Sequence, residues 1–310
     1  MAYKPELLAT ARSLEELERL IAAGADAFVI GEARYGMRLS GEFSQDMIVQ
    51  AVEIAKPKGV RIYASLNNLM DNETADCLDD YVASLAEAGV DAIVFGDPAV
   101  LMAARQHAPG IALHWNAEMT STNFVTAEYW GRRGASRFVL ARELNMEQVI
   151  ETAASTALET QVQVHGMTNI YHSKRSLVDS YMEHQSETDR LPRKDKDRGL
   201  YVMEAERQDE RYPIYEDANG THIMSSDDIC MVENLHELME AGVTSLKIEG
   251  IMKPIEYNEI VVRAYRNAID AYTADPDDYS FQEEWLEAIQ QVQDPNRELS
   301  YGFFYKEQVY

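Results

Sequence analysis

A repeated pattern of apolar and polar positions runs along the chain: an amphipathic helix, a glycine, and a short apolar segment. It occurs at residues 14–31, 78–97, 126–143 and 234–250. The glycines at the helix ends are Gly24, Gly89, Gly134 and Gly242. Each stands where a helix C-terminus favours a positive φ angle. The four or five apolar residues that follow are too few for a helix and predict a buried strand.

Alternating helices and buried strands predict a parallel sheet. Eight strand candidates lie at 6–10, 27–31, 61–66, 92–96, 111–115, 137–141, 161–165 and 245–249. Eight is the number that closes a (β/α)₈ barrel of the TIM type. The alternative is an open doubly wound sheet, but the chain has no glycine-rich phosphate loop to favour it. The sequence therefore predicts an α/β fold with a TIM-like (β/α)₈ barrel.

The even spacing of the strands fails between the seventh and the eighth, which are separated by about 80 residues. This stretch contains a charge-rich segment at 190–199 and a hairpin-like segment at 211–226, with Asn219-Gly220 as a two-residue turn signal. We expect an insertion, 167–243, that carries a hairpin and covers the C-terminal mouth of the barrel, where barrel chemistry takes place.

The end of the chain divides into a closing helix and a separate tail. We expect the barrel to span 1–275, with a helix at 254–275 that completes it. Residues 276–310 then supply an acidic helix and an aromatic tail, which we expect to pack on the barrel.

Composition indicates where the protein works and which partners it can bind. The 310 residues carry a formal net charge of −25, a field that repels nucleic acid unless a partner compensates. No apolar stretch has the length of a membrane span or a signal-peptide core, and two cysteines suit a reducing compartment. We therefore expect a cytoplasmic protein without membrane contact, and the sequence leaves a homo-oligomer open.

Polar residues that follow buried strands would point into the mouth of a barrel. They are Glu32, Arg34, Asn67, Asn68, Asn116, Glu118, Arg142, Glu143, His165, Lys247 and Glu249. Converging amides, guanidinium groups and carboxylates suit a small polar or anionic ligand. The alternative for each residue is a helix cap or an ion pair inside the barrel. Lys247 and Glu249 alternate with apolar residues, so the pair predicts either a buried salt bridge or an acid/base device.

A second cluster follows the seventh strand and contains His165, His172, Lys174 and Arg175. Anion binding, general base catalysis and plain surface charge all remain open for it. As proton-transfer candidates we name Glu143, His165, Lys247 and Glu249. As ligand-binding candidates we name Glu32, Asn116, Arg142, His172, Lys174 and Arg175. The chain has no HExxH, no GxSxG and no cysteine–histidine pattern, so no known protease nucleophile and no metal site is predicted.

The order of several segments resembles the peptidase U32 family over essentially the whole chain. They are ELLATARSLEELERLIAAGADAFVIG at the start, RIYASLNNLMDNE, VLAREL, SLKIEGIMK and RELSYGFF near the end. Within this family the chain resembles a short, cysteine-poor subgroup. That subgroup is implicated in prephenate-dependent hydroxylation of the tRNA wobble uridine to 5-hydroxyuridine. The resemblance therefore implies a role in tRNA modification with prephenate as a co-substrate.

The chain departs from the family pattern at its cysteines. By resemblance, Asn169, Ser176 and the region of Leu200 occupy cysteine positions, and Cys230 alone is retained. Four thiolates suit an iron–sulfur cluster, so we expect none in this chain. The resemblance implies a cysteine-bearing paralogue as partner, with tRNA bound through the complex. Two alternatives remain: a U32-type hydrolase that uses the mouth residues, and a non-catalytic scaffold.

Overall fold

The computed structural model describes residues 3–116, 121–184 and 195–307. Its strands are β1 (Glu6–Thr10), β2 (Ala27–Ile30), β3 (Arg61–Leu66), β4 (Ala92–Phe95), β5 (Ala112–Trp115), β6 (Arg137–Val139), β7 (Glu159–Gly166), β8 (Asn169–Ser173), β9 (Tyr201–Val202), β10 (Tyr212–Asp217), β11 (Gly220–Met224), β12 (Asp228–Cys230), β13 (Ser245–Ile248) and β14 (Leu299–Ser300). Its helices are α1 (Leu14–Ala23), α2 (Gln45–Ala55), α3 (Asn72–Ala75), α4 (Leu78–Ala88), α5 (Pro98–His107), α6 (Phe124–Gly131), α7 (Met146–Ser155), α8 (Leu177–His184), α9 (Leu235–Glu240), α10 (Ile255–Ala274) and α11 (Glu283–Val292).

Eight parallel strands close into a barrel. Strands β1 to β7 pair in sequence order, and β13 lies between β7 and β1 with parallel pairing to both. Each of the eight predicted strands overlaps one of these, so the prediction of a TIM-like barrel is confirmed. Apolar side chains on the outer face of the strands pack against the surrounding helices, as Leu246 and Ile248 do in β13.

The repeated helix–glycine unit has a local explanation at α1. The Ser13 side chain accepts the backbone N–H of Glu16 at the start of the helix, and Gly24 ends it with φ +112°. A Cβ on Gly24 would lie 2.5 Å from Cγ of Arg266, so both the backbone angle and the packing require glycine. Gly89 ends α4 in the same left-handed conformation.

A layer of polar side chains fills the barrel at the N-terminal ends of its strands. Arg137 is 1% exposed, and its Nη1 lies 2.6 Å from Oε1 of Glu6. Glu6 also accepts hydrogen bonds from Ser245 at 2.8 Å and from Tyr63 at 2.5 Å. Burial raises the pKa of Glu6, but Arg137 and these hydrogen bonds lower it further, so the net pKa lies below the usual value. The carboxylate is therefore held ionised inside the barrel.

A second, antiparallel sheet in the order β8–β11–β10–β9 lies in the sequence between β7 and β13. Strands β10 and β11 form a hairpin in which Asp217 pairs with Gly220. The two turn residues are therefore Ala218 and Asn219, one position before the predicted Asn219-Gly220. Gly220 alone takes the positive φ, +107°, whereas a turn centred on Asn219-Gly220 would need two residues with positive φ. The pattern of one left-handed glycine after two turn residues explains the shift.

The hairpin turn rests on the loop that follows β2. The side-chain amide of Asn219 donates to the backbone oxygens of Ala33 and Gly36 at 3.0 and 3.3 Å, and its oxygen accepts from Asn68 at 2.8 Å. Because this loop begins at the C-terminal end of a barrel strand, the sheet lies over the mouth of the barrel.

The remaining strands lie against the outside of the barrel. Strand β12 pairs antiparallel with β7, and β14 pairs with β12. Helix α11 packs on α10. The division of the chain at residue 275 stays a prediction. In the part of the chain that the structure describes, no helix is both long and apolar enough to cross a membrane.

Candidate functional site

A small polar cavity lies at the C-terminal ends of the barrel strands. It holds about 60 Å³ of space for a water-sized sphere. Its polar lining consists of Thr10, Arg38, Ser40, Ser65, Asn67, Asn116, Arg142, Gln161, Gln163, Asn169, Lys247 and Glu249. Met37, Met167, Met224 and Ile251 are among the apolar residues around it. Of the predicted site residues, the fold brings Asn116, Arg142, Lys247 and Glu249 together in this cavity.

Lys247 and Glu249 form an ion pair in the cavity, with Nζ 2.8 Å from Oε2. The other carboxylate oxygen accepts hydrogen bonds from Thr10 Oγ1 at 3.0 Å and from the Ile251 backbone at 3.1 Å. Burial raises the pKa of Glu249, but Lys247 and these donors lower it further, so the net pKa lies below the usual value. Glu249 is therefore an ionised carboxylate at neutral pH and a poor proton donor.

Among the residues that the structure describes, the charged side chains that line the cavity are mostly cationic. They are Arg38, Arg142 and Lys247, with one carboxylate, that of Glu249. Arg38 adopts φ +54°, a left-handed backbone that costs energy in a residue other than glycine and is common at ligand sites. A positive site in a chain of net charge −25 would concentrate a small anion.

Strand β7 ends in a distortion that decides which of its side chains reach the cavity. Its register against β13 shifts so that Lys247 pairs with Gln163 and Ile248 pairs with His165. The Gln163 amide donates to the backbone oxygens of His165, Gly166 and Met167 at 3.3, 3.2 and 2.9 Å. Gln163 therefore both lines the cavity and holds the end of the strand.

His165 lies outside the cavity, on the opposite face of β7. It is fully buried, with Nε2 2.8 Å from the hydroxyl of Tyr257 and Nδ1 3.4 Å from that of Tyr265. Burial lowers the pKa of His165 to about 3, so the imidazole is neutral at pH 7. The prediction that His165 points into the mouth is wrong, because the shift at the end of β7 turns it toward α10.

The other residues of the second cluster lie in strand β8 or directly after it and do not line the cavity. His172 Nε2 lies 2.9 Å from the backbone oxygen of Asn219. Lys174 is exposed, 4.0 Å from Asp71, and the backbone oxygen of Arg175 accepts a hydrogen bond from Thr221. The structure therefore gives His172 and Arg175 contacts within the insertion, where the sequence predicted contacts with a ligand.

Glu32 and Glu143 also lie outside the cavity lining. Glu32 accepts the backbone N–H of Gln45 at the start of α2, and burial raises its pKa. Glu143 is exposed, while its neighbour Arg142 lines the cavity. Glu118 lies outside the described residues. The N-cap of α2 is Ser44, and Glu32 adds a second acceptor at the start of that helix, a structural role of the kind that the sequence left open as an alternative.

Arg34 and Asn68 make contacts with loops at the rim. Arg34 is exposed and donates to the backbone oxygen of Glu73, while the Asn68 amide donates to the oxygen of Asn219. Asn67, by contrast, lines the cavity and accepts the backbone N–H of Met37 at 2.9 Å.

Gln161 and Gln163 were missed as candidates, although the sequence contained a signal for them. In QVQVH, at 161–165, glutamines alternate with valines, and strand alternation places the two amides on the face opposite Val162 and Val164. Arg38 and Ser40 had no such signal, because they lie in a loop rather than at the end of a strand.

The two cysteines lie on different elements and neither lines the cavity. Cys230, on β12, is buried beside Tyr265, and burial raises the pKa of its thiol to about 11. Cys77 precedes α4, with its Sγ 3.3 Å from a guanidinium nitrogen of Arg34. In residues 3–116, 121–184 and 195–307, no three histidine, cysteine or carboxylate side chains are grouped to hold a metal ion. The absence of an iron–sulfur cluster stays a prediction.

Residues 12–309 match the model of peptidase family U32. The chain belongs to this family. This U32 protein is 50% identical to tRNA hydroxylation protein P2 of Bacillus subtilis, over 99% of both chains. It is 33% identical to tRNA hydroxylation protein P1 of the same organism, over 99% of this chain and 74% of that one.

A solved structure supports the same fold. The U32 peptidase Mk0906 superposes with a TM-score of 0.51 at 15% identity, over 80% of this U32 protein and 94% of that chain. At this identity the likeness extends to the barrel fold and not to the chemistry.

Proposed function

We propose that this U32 protein takes part in the hydroxylation of the tRNA wobble uridine, in the cytoplasm and together with a cysteine-bearing paralogue. The observation that carries the proposal is the 50% identity, over 99% of both chains, to a protein named for tRNA hydroxylation. A second U32 protein with a tRNA hydroxylation name exists in the same organism as that relative, which supports a paired system.

The mouth cavity is the proposed site for the small-molecule co-substrate. Arg38, Arg142 and Lys247 offer donors to a carboxylate, and prephenate, which the family resemblance suggests, is a dicarboxylate. The cavity, at about 60 Å³, is smaller than such a ligand. Met37 and Met167 border it, and flexible methionine side chains can move aside to admit one.

We assign two contributions to the paralogue: the redox chemistry of its cysteines and affinity for tRNA. The net charge of −25 opposes tRNA binding by this chain alone, and a partner would supply the remaining affinity. The hydrolase alternative is weakened, because two of its candidate bases, His165 and His172, do not line the cavity, and Glu249 is held ionised by Lys247.

A deletion strain tests the proposal. Nucleoside mass spectrometry of its tRNA, alone and combined with loss of the paralogue, is expected to show reduced 5-hydroxyuridine. Reintroducing the wild-type gene restores the modification, and Arg142→Ala or Lys247→Ala does not. Arg132→Ala, at an exposed residue that directly follows α6, is the matched control and restores it. Unchanged 5-hydroxyuridine in the double deletion would refute the proposal.

A further inference from the structure

A large groove lies beside the cavity, between the insertion and the C-terminal part of the chain. Its volume is about 770 Å³, within the range of sites that hold nucleotide-sized ligands. Met167 lines both the groove and the cavity, so the two spaces are neighbours.

Among the residues that the structure describes, cationic side chains outnumber acidic ones in the groove, five to three. Two of the five, Lys253 and Arg297, share the single buried carboxylate of Asp228, at 2.6 and 2.9 Å. Two others, Lys196 and Arg211, have no carboxylate within 4.0 Å among the described residues. In a chain of net charge −25, this local excess of cationic side chains indicates an anionic ligand.

Lys196 is placed to donate to such a ligand. It lies in the short 3₁₀ turn Lys196–Arg198, and its ammonium group donates to the backbone oxygens of Leu39 and Ser40. An ammonium group has three N–H donors, so one remains for a ligand oxygen. The two carbonyl contacts hold the nitrogen in place, and a phosphate at this position would find a donor that is already oriented.

An aromatic ring stands next to these charges. Tyr201, on the edge strand β9, is 46% exposed, and the guanidinium carbon of Arg211 lies 5.0 Å from its ring centre. Unpaired bases stack on aromatic rings and on guanidinium planes, which is how proteins hold single-stranded RNA. Tyr201 therefore presents a stacking surface beside the guanidinium group of Arg211.

We propose that the groove binds a nucleotide of single-stranded RNA, with Lys196 and Arg211 on its phosphate and its base stacked against Tyr201. This deepens the proposed function, on which it rests, by placing the tRNA loop at the opening of the co-substrate cavity. A free nucleotide has the same chemistry as a nucleotide unit in a loop, so the experiment treats the two separately.

The test measures binding by an equimolar mixture of the full-length chain and the cysteine-bearing paralogue at about 20 mM salt, where phosphate contacts are strongest. The two probes are a fluorescent 17-nucleotide anticodon stem-loop, followed by anisotropy, and uridine 5′-monophosphate, followed by calorimetry. The variants are Arg211→Ala, Lys196→Ala and Tyr201→Ala, and Arg132→Ala is the control for the loss of one exposed cation.

Arg211→Ala and Lys196→Ala are expected to weaken stem-loop binding several-fold and to reduce the slope of log affinity against log salt by about one unit each. Tyr201→Ala is expected to weaken it by about tenfold. Arg132→Ala leaves the affinity within about twofold, and circular dichroism checks that each variant is folded. Binding of the monophosphate without the stem-loop would assign the groove to free nucleotides and overturn the RNA part of the proposal.

The whole proposal is overturned by either of two results: the mixture with the wild-type chain binds neither probe, or the mixtures with the three groove variants and with the control bind equally well. Both results can occur while a deletion strain still loses 5-hydroxyuridine. Failure of the groove and failure of the proposed function are therefore distinguishable.

Discussion

Replacing Lys247 by methionine measures how much the Lys247–Glu249 ion pair contributes to stability. The substitution keeps most of the side-chain volume and leaves the buried carboxylate of Glu249 without its cation. Removing one partner of a buried ion pair costs about 3–5 kcal/mol. The Lys247 side chain is 20% exposed, and Thr10 and the Ile251 backbone still donate to Glu249, so we expect a smaller loss, about 2–3 kcal/mol at pH 7.

The loss of stability in Lys247→Met should become smaller as pH falls. In the wild type the pKa of Glu249 lies below its usual value, so the pair stabilises the fold above the unfolded-state pKa and is lost as pH falls. In Lys247→Met, burial is the dominant influence left and raises the pKa of Glu249. Protonation then removes the buried charge as pH falls. The difference in free energy of unfolding between the wild type and Lys247→Met should therefore shrink by about 1–2 kcal/mol between pH 7 and pH 5.

Urea unfolding at both pH values measures these free energies, with the fluorescence of the stacked pair Trp115 and Trp130 as the signal. The double variant Lys247→Met/Glu249→Gln removes both charges and should lie within about 1 kcal/mol of the wild type at either pH. A deficit in Lys247→Met below about 1 kcal/mol, or one that is equal at pH 5 and pH 7, would refute this account of the pair.

Three further predictions concern other parts of the fold. Arg137→Met removes one of the two guanidinium groups paired with the buried carboxylate of Glu6, the other being that of Arg61, and should lower the free energy of unfolding by about 2–3 kcal/mol, whereas Arg132→Ala, at an exposed pair, should change it by less than ~0.5 kcal/mol; equal losses in urea would contradict this. Gly220→Ala puts a Cβ 2.0 Å from the Ser173 oxygen at φ +107° and should speed proteolysis within the insertion, while Gly110→Ala, with open space around it, should not. His165→Gln should lower stability by about 1–3 kcal/mol yet restore 5-hydroxyuridine in the deletion strain; lost modification at unchanged stability would show that the imidazole acts in the chemistry.

The barrel could be predicted from the sequence because its signals are local. Strand β3 is a run of six residues with five buried, and Gly24 and Gly89 end their helices where the apolar pattern stops. Helix and strand periods follow from backbone geometry alone, so neighbouring residues carry the information. The same alternation placed Lys247 and Glu249 on the interior face of β13.

The candidate site could be predicted only where a strand stays regular to its end. The distortion at the end of β7 turns His165 away from the mouth, and strand periodicity assumes that no such shift occurs. Arg38 and Lys196 come from loops, whose positions depend on what they pack against.

Local pattern by itself determined the eight strands, the glycine-ended helices and the mouth at which the polar strand ends meet. The tertiary structure alone decided which side chains face that mouth. It also formed the groove, which joins Lys196 and Tyr201 to Arg297, about a hundred positions further along the chain. Contacts between distant segments depend on packing free energy summed over the whole fold, and no local period encodes them.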